Sequence, residues 1–215
     1  MNKKTIVCFG DSNTHGYCSL TDGRYDEETR WPCLLQQLAG EAYSIREEGL
    51  SGRTTCFEDP LFEGLSGLSM INPILMTHEP VDLLIVMLGT NDSKIRFHAT
   101  PANIGQGLER LIEKVIATPR AFRNQKPNIL IITPPPIDPR YRETPVYDTM
   151  GPDCDQKTAA LAPYFEEVAR LHGCRYLDAG ATGISMGESD WMHLRPEGHR
   201  QLAELIASLL PSICA

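Results

Sequence analysis

The segment LLIVMLGTND, residues 83–92, decides the fold class, because six consecutive apolar residues run directly into a small polar turn. An uninterrupted apolar run of this length is typical of a parallel strand that is buried on both faces. A second run, ILIIT at residues 129–133, has the same character. Together the two runs predict a sheet that is covered by helices on each side.

Other segments alternate between strand-like and helix-like patterns around these two runs. Further strands are predicted at Thr5–Phe9, Tyr43–Glu47 and Cys174–Leu177. Apolar residues recur at helical spacing in four segments, which are Trp31–Leu38, Ile104–Ile116, Gln156–Leu171 and Leu202–Leu210. Alternation of strands and helices is the signature of a doubly wound α/β fold. We therefore predict an α/β domain with a five-stranded parallel sheet.

Length and charge narrow the class of protein. A chain of 215 residues allows one ordinary domain, which we place over residues 1–215. Its 20 basic and 28 acidic residues give a formal net charge of −8. Binding to nucleic acid or to an anionic membrane surface requires a basic patch, so we expect neither partner.

The sequence also bears on location and on metal binding. No apolar run approaches the roughly 18 residues that a membrane span needs, and the apolar stretch Ile6–Phe9 is too short for the core of a signal peptide. We therefore expect a cytoplasmic protein with reduced thiols. The seven cysteines are scattered, and no two are separated by two residues, which argues against a zinc-knuckle site. We expect no metal and no cofactor.

Small polar turns follow the first three predicted strands. They are Gly10–Asn13, Gly49–Thr54 and Gly89–Asp92. Ligands of doubly wound sheets bind beyond the carboxyl ends of the strands, where the strand order reverses. Because the carboxyl ends of parallel strands meet at one edge of the sheet, three such turns predict a site there.

Ser12 is the candidate nucleophile, since it lies in a tight turn directly behind a buried strand. A hydroxyl needs a base to remove its proton, and the base is commonly a histidine that a carboxylate orients. Near the end of the chain, Asp190 and His193 are separated by three residues, so the carboxylate can reach the imidazole. Taken singly, Ser12 could be a turn residue and His193 a capping residue; together they favour a catalytic triad.

An acyl-transfer site also needs donors for the developing oxyanion. The N–H groups of Ser12 and Gly52 and the side-chain amide of Asn91 are the candidates, because all three follow strand ends. Gly52 has no side chain to keep a substrate away from its N–H. The alternative is that Gly52 and Asn91 only shape turns.

Four blocks of sequence resemble those of the SGNH hydrolase superfamily, the GDSL-type esterases, and occur in the family order. They are FGDSNTHGY at 9–17, EGLSGRTT at 48–55, MLGTND at 87–92 and DWMHL at 190–194. The resemblance implies a flavodoxin-like three-layer α/β/α fold. It also assigns Ser12, Asp190 and His193 to the triad, and Gly52 and Asn91 to the oxyanion hole.

Longer matches, including ITPPP at 132–136, look like the bacterial arylesterase/acyltransferase branch of this superfamily. Resemblance to that branch implies hydrolysis of short-chain aryl or alkyl esters and, in some members, transfer of the acyl group to alcohols or peroxide. The implied partner is a small-molecule ester. Members of the branch can form homo-oligomers, so we expect a homo-oligomer. A carbohydrate acetyl esterase or a thioesterase of the same superfamily is the alternative.

The sequence departs from the family pattern in ways that bear on the substrate pocket. Asn13 stands where leucine is common, and His15 stands where relatives can carry a bulky aromatic residue. With Asp11 and Trp191, these two residues are our candidates for the pocket wall. Residues 138–153 are rich in Pro, Arg and Tyr, and loops of this length often cover a cleft or contact a neighbouring subunit.

Two alternative functions, from other classes of protein, have weaker support. A flavodoxin-like module could bind a phosphate or flavin at Gly10–Gly16, but Asp11 would repel a phosphate there. A two-metal phosphatase needs clustered carboxylates and several histidines. The late His193 has only Asp190 beside it.

Overall fold

A computed structural model describes residues 3–214, so residues 1, 2 and 215 of the predicted domain lie outside the description. Five parallel strands form the main sheet, in the spatial order β4-β1-β5-β6-β7. They are β1 (Lys4–Gly10), β4 (Tyr43–Gly49), β5 (Leu83–Met87), β6 (Ile129–Thr133) and β7 (Arg175–Asp178). The predicted α/β class and five-stranded parallel sheet are confirmed.

A small antiparallel hairpin and eight helices complete the architecture of the described residues. The hairpin pairs β2 (Tyr17–Cys18) with β3 (Gly23–Arg24). The helices are α1 (Ser12–His15), α2 (Trp31–Ala39), α3 (Gly67–Thr77), α4 (Pro101–Ile116), α5 (Val146–Met150), α6 (Cys154–Ala159), α7 (Ala162–His172) and α8 (Pro196–Ile213).

Helices cover both faces of the sheet, and the alternating side chains of β1 show how. Ile6 and Cys8 face a core shared with α2 and α8, which includes Trp31. Val7 and Phe9 face a second core, shared with α3, α4 and α7. All four β1 side chains are almost fully buried, as expected for a strand between two apolar layers. The fold is therefore the predicted three-layer α/β/α arrangement.

Two of the longer helical segments differ from the sequence prediction, and both contain proline. The predicted helix at residues 156–171 is two helices, α6 and α7, separated at Ala160 and Leu161. Pro163 lies in the first turn of α7, where its ring fits, whereas it cannot continue a helix from the preceding turn. The helix α3, which contains Pro73 in its interior, was not predicted.

The topology gathers the predicted turns at one edge of the sheet. β1 lies between β4 and β5, so the order of connection reverses between β1 and β5. The turns after these three strands therefore lie side by side, at the point where doubly wound folds bind ligands.

Two further expectations concern thiols and membranes. All seven cysteines are free thiols, three of which are partly exposed. Within residues 3–214, the helices lack the combination of length and apolar character that a bilayer crossing demands.

Candidate active site

Ser12 is the first residue of the short helix α1, directly behind the buried strand β1. Asp11 caps this helix, because its carboxylate accepts the Asn13 N–H at 3.0 Å. Only 7% of Ser12 is exposed, and that exposed part faces a cavity. The turn therefore fixes the hydroxyl at the edge of the sheet, as predicted.

His193 and Asp190 approach Ser12 from the other end of the chain. His193 Nε2 lies 2.8 Å from Ser12 Oγ, and His193 Nδ1 lies 2.5 Å from Asp190 Oδ2. The three predicted residues thus form one hydrogen-bonded chain, although 181 residues separate the serine from the histidine. An imidazole in this position can take a proton from the serine while a carboxylate stabilises the cation that forms.

Hydrogen bonds keep the Asp190 carboxylate ionised. Burial acts to raise its pKa, but the His193 ring and the N–H groups of Met192 and His193 donate to it and hold the pKa below its ordinary value. Carboxylates that accept several hydrogen bonds favour the charged form. Asp190 is therefore available as an anion to orient the His193 ring.

The turn between Asp190 and His193 is strained at Trp191, whose φ is +58°. Residues other than glycine rarely adopt this left-handed conformation. Here the Trp191 N–H donates to Gly187 O at 2.9 Å, and the Asp138 N–H donates to Trp191 O at 3.0 Å. The Arg140 guanidinium stacks 3.5 Å above the Trp191 ring and also pairs with Asp138. These contacts hold the turn that presents His193.

Asn13 joins the serine turn to the histidine turn. Its side-chain oxygen accepts the Leu194 N–H at 2.8 Å, and its side-chain amide donates to Met192 O at 3.3 Å. Both hydrogen bonds are buried, and they hold the backbone on either side of His193 in place. The position where relatives of the resembling family commonly carry leucine therefore has a positioning role in this chain.

The predicted oxyanion donors Gly52 and Asn91 line the same cavity as Ser12. Asn91 is buried, and its side-chain amide donates weakly to Arg53 O at 3.2 Å and to Asp11 Oδ2 at 3.5 Å. Gly52 has a φ of +89°, and a side chain there would collide with Leu65, because its Cβ would lie 2.9 Å from Leu65 Cδ1. Gly52, Asn91 and Ser12 line the same cavity.

Buried charges lie beneath these donors. Burial raises the pKa of Asp11 to about 6, and it raises the pKa of Asp92 to about 6 as well. Burial lowers the pKa of Arg53 to about 10, although its guanidinium donates to Gly10 O and stacks on Phe9. The floor of the site is thus a dry polar layer, in which electrostatic interactions are stronger than in water.

A cavity of about 460 Å³ opens above the triad. The predicted cover, residues 138–153, forms one wall through Pro145, Val146, Thr149 and Met150. Hydroxyl groups line much of the remainder. The other lining residues are Ser12, Tyr17, Ser19, Ser51, Gly52, Asn91, Lys94, Ser189, Asp190, Met192 and His193.

The structure corrects the predicted pocket wall, because the four candidates lie outside this lining. Asp11 is buried below the cavity. The side chain of Asn13 makes its two hydrogen bonds to the histidine turn. His15 lies near Arg24, which donates to its backbone oxygen. Trp191 packs under Arg140.

Sequence reasoning missed several lining residues, among them Tyr17 and Lys94. The ring of Tyr17 packs against the His193 imidazole, with centroids 4.6 Å apart. Lys94 follows Asn91 by three residues and lies in the cavity wall. The only sequence signal for either is its position, just after a strand-end motif.

One group of residues has the composition of a metal site, but it lies away from the cavity. Glu109 and Glu113 on α4 and His172 on α7 bring ligand atoms within 4.8 Å of one another. His172 Nε2 already lies 3.2 Å from Glu109 Oε1, so a hydrogen bond between two helices accounts for the arrangement.

Comparison with known families agrees with this geometry. A family model described as the GDSL-like lipase/acylhydrolase family matches residues 8–201. The chain belongs to this family. The match begins in β1, before Ser12, and ends in α8, after His193. The matched region therefore contains the whole candidate site.

Solved structures similar to this GDSL-like chain include esterases. An aryl esterase of M. smegmatis is 34% identical, with a TM-score of 0.89, over 98% of this chain and 99% of that chain. A carbohydrate acetylesterase family member from Sinorhizobium meliloti is 32% identical, with a TM-score of 0.87, over the same shares.

A curated relative is an acetylxylan esterase of Xylanibacter ruminicola, which is 25% identical over 95% of this chain. The GDSL-like chain spans 42% of the length of that relative.

Proposed function

We propose that this member of the GDSL-like lipase/acylhydrolase family is a serine esterase that hydrolyses short-chain carboxylic esters through an acyl-enzyme on Ser12. The observation that carries the proposal is the hydrogen-bonded chain from Ser12 Oγ through the His193 ring to Asp190. A serine that is buried in a polar site and bonded to an oriented imidazole is an activated nucleophile.

Acylation begins when Ser12 Oγ attacks the ester carbonyl carbon and His193 Nε2 takes the hydroxyl proton. The new C–O bond places a negative charge on the carbonyl oxygen. The N–H groups of Ser12 and Gly52 and the Asn91 amide stabilise this charge. When the tetrahedral intermediate collapses, the alcohol leaves with the proton from His193, and the acyl group remains on Ser12.

Deacylation repeats these steps with a new nucleophile. A water molecule gives its proton to His193 and attacks the acyl carbon, and Ser12 leaves with that proton. An alcohol or peroxide in place of water would complete an acyl transfer. Asp190 stays ionised throughout and stabilises the imidazolium.

The lining of the cavity favours a substrate with a small acyl group. Its apolar lining is limited to a few side chains, among them Val146, Met150 and Met192. Each buried methylene contributes about 0.8 kcal/mol only where apolar surface receives it. Short acyl chains therefore match this wall better than long ones do.

A carbohydrate acetyl ester is the second candidate substrate. The hydroxyl groups of Ser19, Ser51, Thr149 and Ser189 line the cavity, and they can exchange hydrogen bonds with the hydroxyl groups of a sugar. The names of the Xylanibacter and Sinorhizobium relatives are consistent with this candidate. A thioester would meet the same nucleophile, and no residue of the lining selects for it.

The test is a panel of 4-nitrophenyl esters of rising chain length, together with an acetylated sugar. We expect the acetyl and butyryl esters to be cleaved fastest, and Ser12→Ala to abolish the reaction. Ser208→Ala is the matched control, since that hydroxyl bonds only to Leu205 O on the exposed face of α8. Palmitoyl ester cleavage equal to acetyl ester cleavage would overturn the short-chain proposal.

A further inference from the structure

Lys94 is a buried lysine in the wall of the active-site cavity. Only 6% of its surface is exposed, and it lines the same cavity as Ser12, Asn91 and His193. It follows the turn that carries Asn91, and its N–H donates to Asn91 O at 3.2 Å. The lysine is thus attached to the turn that supplies a proposed oxyanion donor.

The ammonium group of Lys94 has no partner among residues 3–214. It donates no side-chain hydrogen bond, and no carboxylate oxygen of these residues lies within 4.0 Å of it. Burial lowers the pKa of Lys94 below its ordinary value. Nζ itself is not fully buried, and the cavity that Lys94 lines makes the ammonium accessible to a ligand.

The carboxylates around Lys94 do not form an ion pair with it. Asp59 accepts two hydrogen bonds from Arg96, at 2.8 and 3.1 Å. Asp92 accepts the N–H and hydroxyl of Thr55 through Oδ1, and its Oδ2 has no hydrogen-bond partner among the described residues.

The remaining carboxylates are engaged in the same way. Asp11 accepts the Asn13 N–H. Asp190, which lines the cavity, is bonded to His193. Asp11, Asp59 and Asp92 act on the Lys94 ammonium only through their charge at a distance. A direct hydrogen bond to an anion can therefore come from a ligand in the cavity that Lys94 lines.

We propose that Lys94 is a specificity residue that binds an anionic group, a carboxylate, on the ester substrate. The inference rests on the proposed esterase function and adds the chemical class of the ester. A carboxylate that enters the cavity would give the ammonium the charge-assisted hydrogen bond it lacks. Hydroxyl groups of Ser51 and Thr149, which line the same cavity, can donate to the same anion.

The experiment compares matched pairs of esters that differ only in charge. One pair carries the charge in the alcohol part: 4-acetoxybenzoate and its neutral counterpart 4-acetoxybenzamide. The other carries it in the acyl part: the phenyl monoester of adipic acid and the corresponding monoamide. The kcat/KM of each ester is measured for the wild-type protein and for Lys94→Met, Lys94→Arg and Lys126→Met.

We expect the wild-type protein to prefer the charged ester in at least one pair. Lys94→Met should lower that preference by about tenfold, mainly through KM, because a hydrogen bond to a charged group is lost. Lys94→Arg should retain part of the preference. Lys126→Met should retain all of it, since Lys126 is exposed and lies outside the cavity. The pair that responds identifies which part of the ester faces Lys94.

Two results would overturn the proposal. One is a wild-type protein without preference in either pair. The other is a Lys94→Met variant that loses activity equally on the charged and the neutral ester, because a purely structural lysine would act in that way. A wild-type protein that cleaves none of the esters would instead contradict the proposed esterase function.

A binding measurement tests Lys94 independently of turnover. Calorimetry on the Ser12→Ala protein should show tighter binding of 4-acetoxybenzoate than of the benzamide, or of the adipate monoester than of its amide. The preference should disappear when Lys94→Met is added. Circular dichroism of each variant confirms that it is folded, and equal binding of the charged and neutral ligands contradicts the proposal.

Discussion

Asn91 makes two long hydrogen bonds in the structure, to Arg53 O and to Asp11 Oδ2. Long hydrogen bonds of this kind are common in active sites without a ligand and tighten when the charge develops. We predict that Asn91→Ala lowers kcat by about 10²–10³, the usual effect of removing one oxyanion donor. Steady-state kinetics on 4-nitrophenyl acetate measures this.

The control for Asn91→Ala is Asn72→Ala. The Asn72 amide donates to Thr118 Oγ1, and neither residue lines the active-site cavity. An Asn91→Ala protein with wild-type turnover would remove Asn91 from the mechanism.

The proton that Ser12 must lose gives the enzyme a pH dependence. Only neutral His193 can accept this proton, so we predict that kcat/KM falls on the acid side of its pH profile. The measurement is kcat/KM as a function of pH with a neutral ester, and a profile without this fall would argue against His193 as the base.

At the scale of elements, the sequence predicted the strands most accurately where the apolar pattern was uninterrupted. The runs at residues 83–88 and 129–133 became β5 and β6 because strands buried on both faces need apolar residues throughout. The pattern failed in two segments that contain proline. It merged α6 with α7 across Pro163, and it missed α3, which carries Pro73.

The candidate site was predictable to the extent that it follows strand ends. Ser12, Gly52 and Asn91 could be placed because parallel strands bring their carboxyl ends together. The pocket wall could not be predicted in this way. It depends on how residues 145–150 fold over the sheet and on where the side chains of Tyr17 and Lys94 point.

The segment at residues 138–143 supports the histidine turn through Arg140. We predict that Arg140→Ala lowers kcat by about fivefold, because a cation–π contact of about 1 kcal/mol no longer steadies the strained Trp191. KM should change little. Steady-state kinetics tests this, with Arg170→Ala as control, since Arg170 pairs only with Glu167 on an exposed face of α7.

At the scale of the whole molecule, His199 links folding to pH. It is fully buried on α8 and its Nδ1 accepts the Trp31 N–H. Burial, with a smaller effect of His193 and Arg30, lowers its pKa from 6.5 to about 4. Below pH 6.5 the unfolded chain binds a proton at His199, whereas the folded protein does not bind it until the pH approaches 4. Stability therefore falls as the pH drops from 6.5 towards 4.

We predict that His199 makes the protein less stable at pH 5 than at pH 7 by about 2 kcal/mol. Urea unfolding at both pH values should show this loss in the wild-type protein. The His199→Gln variant should lack this part of the pH dependence. Asp11 and Asp92 are present in both proteins, so their opposite contribution cancels in the comparison.

The control for this prediction is His78→Gln. His78 lies half-buried beside Glu48, 2.6 Å from its carboxylate. An unchanged pH dependence in His199→Gln would show that this histidine is not the group that couples folding to protons.

The expected homo-oligomer is a further proposal at this scale. Large apolar side chains are exposed at Leu20, Leu61 and Phe62, by 78%, 67% and 58%. Exposed apolar surface favours association between molecules. Light scattering after size-exclusion chromatography should give a multiple of the 23.9 kDa chain mass, and a monomer at micromolar concentration would contradict this expectation.

The bonds from Asn13 to Met192 and Leu194 span nearly the whole chain. During synthesis on a ribosome, the nucleophile therefore emerges long before its base, and nothing can position His193 until residues 190–194 have left the exit tunnel. Because the proposed mechanism needs His193, a growing chain that lacks this residue cannot attack cellular esters. Fragments released by premature termination before this segment would be inactive, because the reactive centre forms only when the Ser12 turn and the His193 turn meet.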